Sequence, residues 1–298
     1  MKLDPIDDVR CILGESPLWC EREQKLYWVD SRAPAFHVYE HDSGAHQVHA
    51  LPEVAGSICL REDGGLLVAM QTGIYALSPN GELGHCIARA EPNHPDNRFN
   101  DGRCDRAGRF IVGTMNDKAR ITTGVLWRLD ADGSLNALDD DIIVPNSLAF
   151  TPDNKAMYFA DTYKHTIHRY AYDIDKGTVS DKTLFADLDG ATGRPDGSAM
   201  DSDGCLWNAE YAGGRVVRYT PDGKIDQVIE LPVSQPTCCA FGGARFDELY
   251  ITTASQRLSD EQLAAEPLAG AVFVCRPGAT GLPEGRYAGN VKNLGVSA

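Results

Sequence analysis

At 298 residues, with 43% hydrophobic and 24% charged side chains, the chain has ample material for a buried core, and its composition excludes a disordered protein. The 43 acidic residues outweigh 28 basic ones and leave a formal net charge of −15. That balance excludes nucleic acid and anionic membrane as expected partners, because phosphate surfaces are held through clustered Lys and Arg.

The N-terminal stretch MKLDPIDDVRCILGESP has no apolar segment of signal-peptide length, and no later window approaches ~18 uninterrupted apolar residues. A cytoplasmic protein is expected. From Glu15 onward the chain repeats one pattern. The first unit opens with ESPLW at Glu15 and continues through the turn CEREQK to the β-rich runs LYWVD and AFHVYEH. The second opens with GSICL at Gly56, then LLVAM and GIYALSP; the third with NDGRC at Asn100, then FIVGT and GVLWRLD. The fourth opens with NSLAF at Asn146, then MYFAD and TIHRYAYD; the fifth with DGSAM at Asp196, then CLWNAE and GRVVRYT. The sixth opens with TCCAF at Thr237, then LYITT and GAVFVCR, interrupted by SDEQLAAEP, which carries Ser259 and Gln262 at capping-box spacing for a short helix.

Successive openings lie 41, 44, 46, 50 and 41 residues apart. Polar turns such as PNG, DADG and PDG close most units, as they do between antiparallel strands. Repeats of this length with about four strands each predict an all-β fold, a six-bladed β-propeller of four-stranded antiparallel blades around a central channel. The whole chain, 1–298, is expected to form one such domain. Residues 1–13 and the segment after about 285 are expected to meet in one blade and close the ring.

In a propeller the first strand of each blade lines the channel, so Glu15, Gly56, Asn100, Asn146, Asp196 and Thr237 are expected around the axis. Two carboxylates and two amides gathered there suit a hard divalent cation such as calcium, magnesium, manganese or iron(II). Asp30, Asp161 and Glu210 recur at the ends of second runs and are expected to serve strand-end hydrogen bonding instead. The nine cysteines form no Cys-x-x-Cys pair, and the eight histidines, His165 and His168 among them, show no zinc spacing. A reducing compartment and no Cys/His metal site follow. No Gly-x-Ser-x-Gly stretch is present, so a covalent acyl-enzyme is not expected.

GESPLW with Glu15, NRFNDGRCDRAGRFIVGTM from 97 to 115, PNSLAF with Asn146, the stretch RPDGSAMDSDGCLWNAEYAGGRVVRYTPDGK and CCAFGG resemble the gluconolactonase and regucalcin (senescence marker protein 30) family of six-bladed propellers, over essentially the full length. The resemblance implies a sugar lactonase in which Glu15, Asn146 and Asp196 bind one divalent metal, zinc being a further candidate. It also implies that Arg98 and Asn100 contact the sugar lactone and that Asp196 moves the proton. The loop NDKARITTGVLW departs from the animal members, being shorter and lacking their substrate-contacting Glu, which bears on substrate identity. A monomer binding a small-molecule lactone is expected. The competing readings are a promiscuous ester or phosphotriester hydrolase and a non-catalytic calcium-binding scaffold.

Overall fold

The computed structural model describes residues 1–294; the last four residues of the expected 1–298 unit lie outside them. Six antiparallel sheets, blades I to VI, follow one another around a ring. Their innermost strands are Gly14–Cys20, Ala55–Arg61, Asn97–Cys104, Pro145–Phe150, Arg194–Met200 and Pro236–Gly242. Hairpins carry each blade outward. In blade V, Gly204 and Gly223 (φ 82° in both) close the first and third hairpins in the left-handed region, where a side chain would be strained.

Ring closure differs from the sequence expectation. Asp4–Pro5 pairs antiparallel with Phe273 and Val274, completing blade VI with the N-terminus. The C-terminal Arg286–Tyr287 instead pairs parallel with Leu60 and Arg61 at the far end of the inner strand of blade II. Asp201, just past the inner strand of blade V, bridges Gly281. The segment from Gly281 to Tyr287 therefore crosses beneath the channel from blade V to blade II. It is anchored by Glu284, which accepts from the partly buried Arg103, whose other terminal nitrogen donates to Ser198 O at 2.7 Å. The two termini thus seal two different places.

The core consists of apolar sheet faces packed blade against blade. Leu18, Tyr27, Val29 and Phe36 of blade I meet Ile58, Leu60, Leu66 and Val68 of blade II, all at most 6% exposed. Such faces read as continuous apolar runs because both sides of a blade are covered. The helix Asp260–Ala265 sits on blade VI with no buried residue, and its Ser259 and Gln262 form the capping box.

Each innermost strand is irregular at its motif. The pairing register shifts at Glu15/Leu18, Ala55/Ser57, Phe99/Gly102, Asn146/Ala149, Pro195/Ser198 and Pro236/Cys238. A β-bulge kinks the strand and re-aims side chains. Ser16 (φ 52°) and Ser147 (φ 62°), directly after Glu15 and Asn146, take the left-handed conformation that a bulge imposes.

Candidate active site

One basin opens at the motif end of the channel. Glu15, Arg98, Asn100, Asn146 and Asp196, the five candidate residues of the sequence, all line it, and it encloses about 550 Å³ of space continuous with solvent. Of the remaining motif residues, Gly56 leaves room for the neighbouring blade, since a Cβ there would stand 2.4 Å from Phe99 O. Thr237 is buried and donates to Gly14 O at 2.5 Å, tying blade VI to the residue before Glu15.

A polar chain fixes the amides. Asn100 Nδ2 donates to Pro145 O at 2.8 Å and to Asn146 Oδ1 at 3.1 Å. Asn146 Nδ2 donates to Thr162 Oγ1 at 2.7 Å, and that hydroxyl donates to Pro195 O at 2.8 Å. Thr162, itself tied to the carbonyl of the residue before Asp196, therefore decides which end of the Asn146 amide faces Asn100. Arg98 Nη1 donates to Asn100 Oδ1 and to Phe99 O, each at 2.8 Å. Its Nε donates to Asp117 at 2.8 Å, where Arg32 binds with both terminal nitrogens at 2.8 Å. The carboxylate partner of Arg98 is thus Asp117, 19 residues on in sequence. Burial works against a charge on Asp117, but hydrogen bonds from Arg32 and Arg98 outweigh it and hold the carboxyl well below its usual range.

Glu15 and Asp196 have no such support. Neither is in an ion pair or accepts a side-chain hydrogen bond among the described residues. Burial, then the charge of Asp101, pushes Glu15 up to about 8, with Arg98 pulling back. Burial, then the charges of Glu15 and Asp101, pushes Asp196 well above the carboxylate range, with only the Gly197 backbone N–H opposing. Asp101 is itself only 8% exposed and accepts from Leu148 N at 3.0 Å. Like charges in a partly desolvated site are costly unless a cation or a proton sits between them.

The donor set fits a hard divalent cation: two carboxylates in no ion pair and an amide whose nitrogen is already committed to Thr162. Among the described residues no group of three or more His, Cys, Asp and Glu suits a metal, so the fit rests on the mixed set of Glu15, Asn146 and Asp196. Asp117, Arg32, Thr162 and Asp101 were not singled out from sequence. Arg32, Asp117 and Thr162 stand in the loops joining second to third strands, where the repeats share no register; Asp101 was adjacent to a named motif position.

Ring and basin together define a β-propeller with a carboxylate and amide centre at one mouth of its channel. The chain belongs to the SMP-30/gluconolactonase/LRE-like family, whose profile matches residues 13–255. It is 42% identical to a 6-deoxy-6-sulfogluconolactonase of Pseudomonas putida, over 93% of this chain and 96% of that one. It is 36% identical to pentonolactonase XacC of Haloferax volcanii, over 96% of this chain and 98% of that one. Among solved structures, the calcium-binding protein regucalcin of Agrobacterium tumefaciens superposes with a TM-score of 0.91 at 32% identity, covering 95% of this chain and 96% of that one.

Proposed function

We propose that this protein is a divalent-cation-dependent hydrolase that opens an aldono-1,4- or 1,5-lactone to its aldonic acid. The observation that carries the reading is the pair of carboxylates in no ion pair, half-buried Glu15 and buried Asp196, beside the Asn146 amide at the base of a solvent-open basin. Relatives named as lactonases, aligned over nearly the full length, support the same chemistry, and their names cover lactones that differ in carbon number and substituent. The basin is lined by no Ser, Cys or His, so hydrolysis by activated water is favoured over a covalent route.

Glu15, Asn146 and Asp196 would hold the cation, and their oxygens suit calcium, magnesium or manganese better than zinc. Bound there, it supplies Lewis acidity toward a carbonyl and lowers the pKa of nearby water. Asp196 takes a proton from the attacking water as that oxygen bonds to the lactone carbonyl carbon. It returns the proton to the ring oxygen as the carbon–oxygen bond breaks, leaving one carboxyl and one hydroxyl. Arg98 and Asn100, pinned through Asp117 and Asn146, orient the sugar, and Arg98 stabilises charge developing on oxygen.

The nine cysteines are free thiols, which supports a cytoplasmic setting. Among the described residues no helix is long and apolar enough to cross a membrane. A ring closed by its own N-terminal strand supports a single domain active as a monomer. The test is cation-stripped protein reloaded with one cation at a time and offered pentono- and hexonolactones. Hydrolysis is expected to return with the cation, and Asp196→Asn to lower kcat by ~10²–10⁴ with an unchanged circular dichroism spectrum. Wild-type turnover by Asp196→Asn would contradict the assignment.

A further inference from the structure

The protein carries a formal net charge of −15, yet Arg32, Arg98, Arg120, Arg194 and Arg257 all line the basin. They arrive from four blades. Arg32 follows the second strand of blade I; Arg98 lies in the first strand of blade III and Arg120 beyond its second; Arg194 opens blade V; Arg257 sits in the excursion of blade VI. Asp117 already takes both nitrogens of Arg32 and the Nε of Arg98 at 2.8 Å. Arg120 reaches the same carboxylate only at 3.4 Å, with its other terminal nitrogen on Met115 Sδ. Arg194 lies over the ring of Tyr163 at 5.1 Å. Neither Arg194 nor Arg257 has a carboxylate partner among the described residues.

Folding does not call for this arrangement. Arg32 and Arg98 have a structural partner in Asp117, which Arg120 reaches only at 3.4 Å, while Arg194 and Arg257 add positive charge to the same mouth without a carboxylate partner among the described residues. Burial and then the charge of Arg98 hold Arg120 below its usual range, with Asp117 only partly opposing them. Glu15 and Asp196 lie at the base and, on the reading above, are occupied by the cation. A planar guanidinium fork is the side chain best matched to an oxyanion. A lactone whose carbonyl faces Asp196 must point its opposite end outward, past these three side chains.

We infer that the preferred substrate is a sugar lactone bearing a second anionic group, a carboxylate, phosphate or sulfonate, on the carbon farthest from the lactone carbonyl, received by Arg120, Arg194 and Arg257. This rests on the lactonase reading of the same basin. The reaction that supplies the substrate must then oxidise, at the anomeric carbon, a sugar that is already acidic.

The test compares kcat/KM of the calcium- or manganese-loaded protein for glucono-1,5-lactone, for the same ring carrying phosphate or sulfonate at carbon 6, and for the lactone of a sugar diacid. Wild type, Arg194→Gln and Arg257→Gln are assayed at low and high salt. At least one charged lactone is expected to exceed the neutral one by about tenfold or more, chiefly through KM. That advantage is expected to shrink in each variant and as salt screens the mouth. The best charged arm identifies the anion. A neutral lactone opened as efficiently as every charged one, or an advantage untouched by both substitutions, would overturn the inference. Failure to open any lactone, with the variants and wild type all folded, contradicts the lactonase reading itself.

Discussion

Glu15 would be ionised at neutral pH in water; in the basin, burial and Asp101 raise it from 4.5 to about 8. Its folded pKa therefore lies above its unfolded one, and folding favours the protonated form. The stability it contributes to the cation-free protein is complete below about 4.5 and is lost as pH rises through about 8. Calorimetry of cation-free protein is expected to show Tm falling across that window, with a saturating divalent cation restoring it and Glu15→Gln flattening the curve. A Tm indifferent to both pH and cation would show that Glu15 is not held as a destabilised carboxylate. At this scale the sequence showed Glu15, Asn146 and Asp196 because each sits at the same place in a repeat. It did not show Asp117 or Thr162, whose partners Arg32 and Pro195 lie 85 and 33 residues away in sequence.

A blade element has two jobs: to pack on its neighbours and to present one residue at the axis. The bulge in every inner strand serves the second, turning the motif side chain out of the sheet's alternation. Strand-end carboxylates serve the first. Asp30 accepts from Ile12 N at 2.7 Å and Leu13 N at 3.1 Å, and Asp161 from Ile143 N at 2.9 Å and Val144 N at 3.1 Å, each holding the chain as it enters its blade. Glu210 differs, accepting from Arg215 at 2.7 Å and Tyr219 at 3.1 Å within blade V. At Gly56 blade II runs close against the backbone of blade III. Gly56→Ala sets a Cβ against the Phe99 and Asn100 backbone, with contacts of 2.4 to 2.7 Å, and is expected to destabilise by about 1–3 kcal/mol in urea unfolding. No loss would mean that the blades can part there without cost. The repeats disclosed the strands, but their periodicity could not disclose closure: Asp4–Pro5 and Arg286–Tyr287 are two-residue strands with no pattern of their own.

At the scale of the whole molecule, the ring is asymmetric. One mouth is open and arginine-lined, and the other is crossed by the C-terminal segment, with Glu284 on Arg103 beneath the acid cluster. The length, number and strand content of the repeats gave the propeller, while the sidedness of the channel came only from where the termini dock. The asymmetry places the carboxylates inside one end and the arginines at its rim, which on the proposed reading would receive a lactone carbonyl first. Everything in this account depends on Glu15, Asn146 and Asp196 sharing one ion. The direct measurement is calorimetric titration of calcium or manganese into cation-free wild type and into Glu15→Gln, Asn146→Ala and Asp196→Asn. One ion per wild-type chain is expected, with affinity lowered at least about tenfold in every variant. Equal affinity across all four proteins, or no binding by wild type, would contradict it.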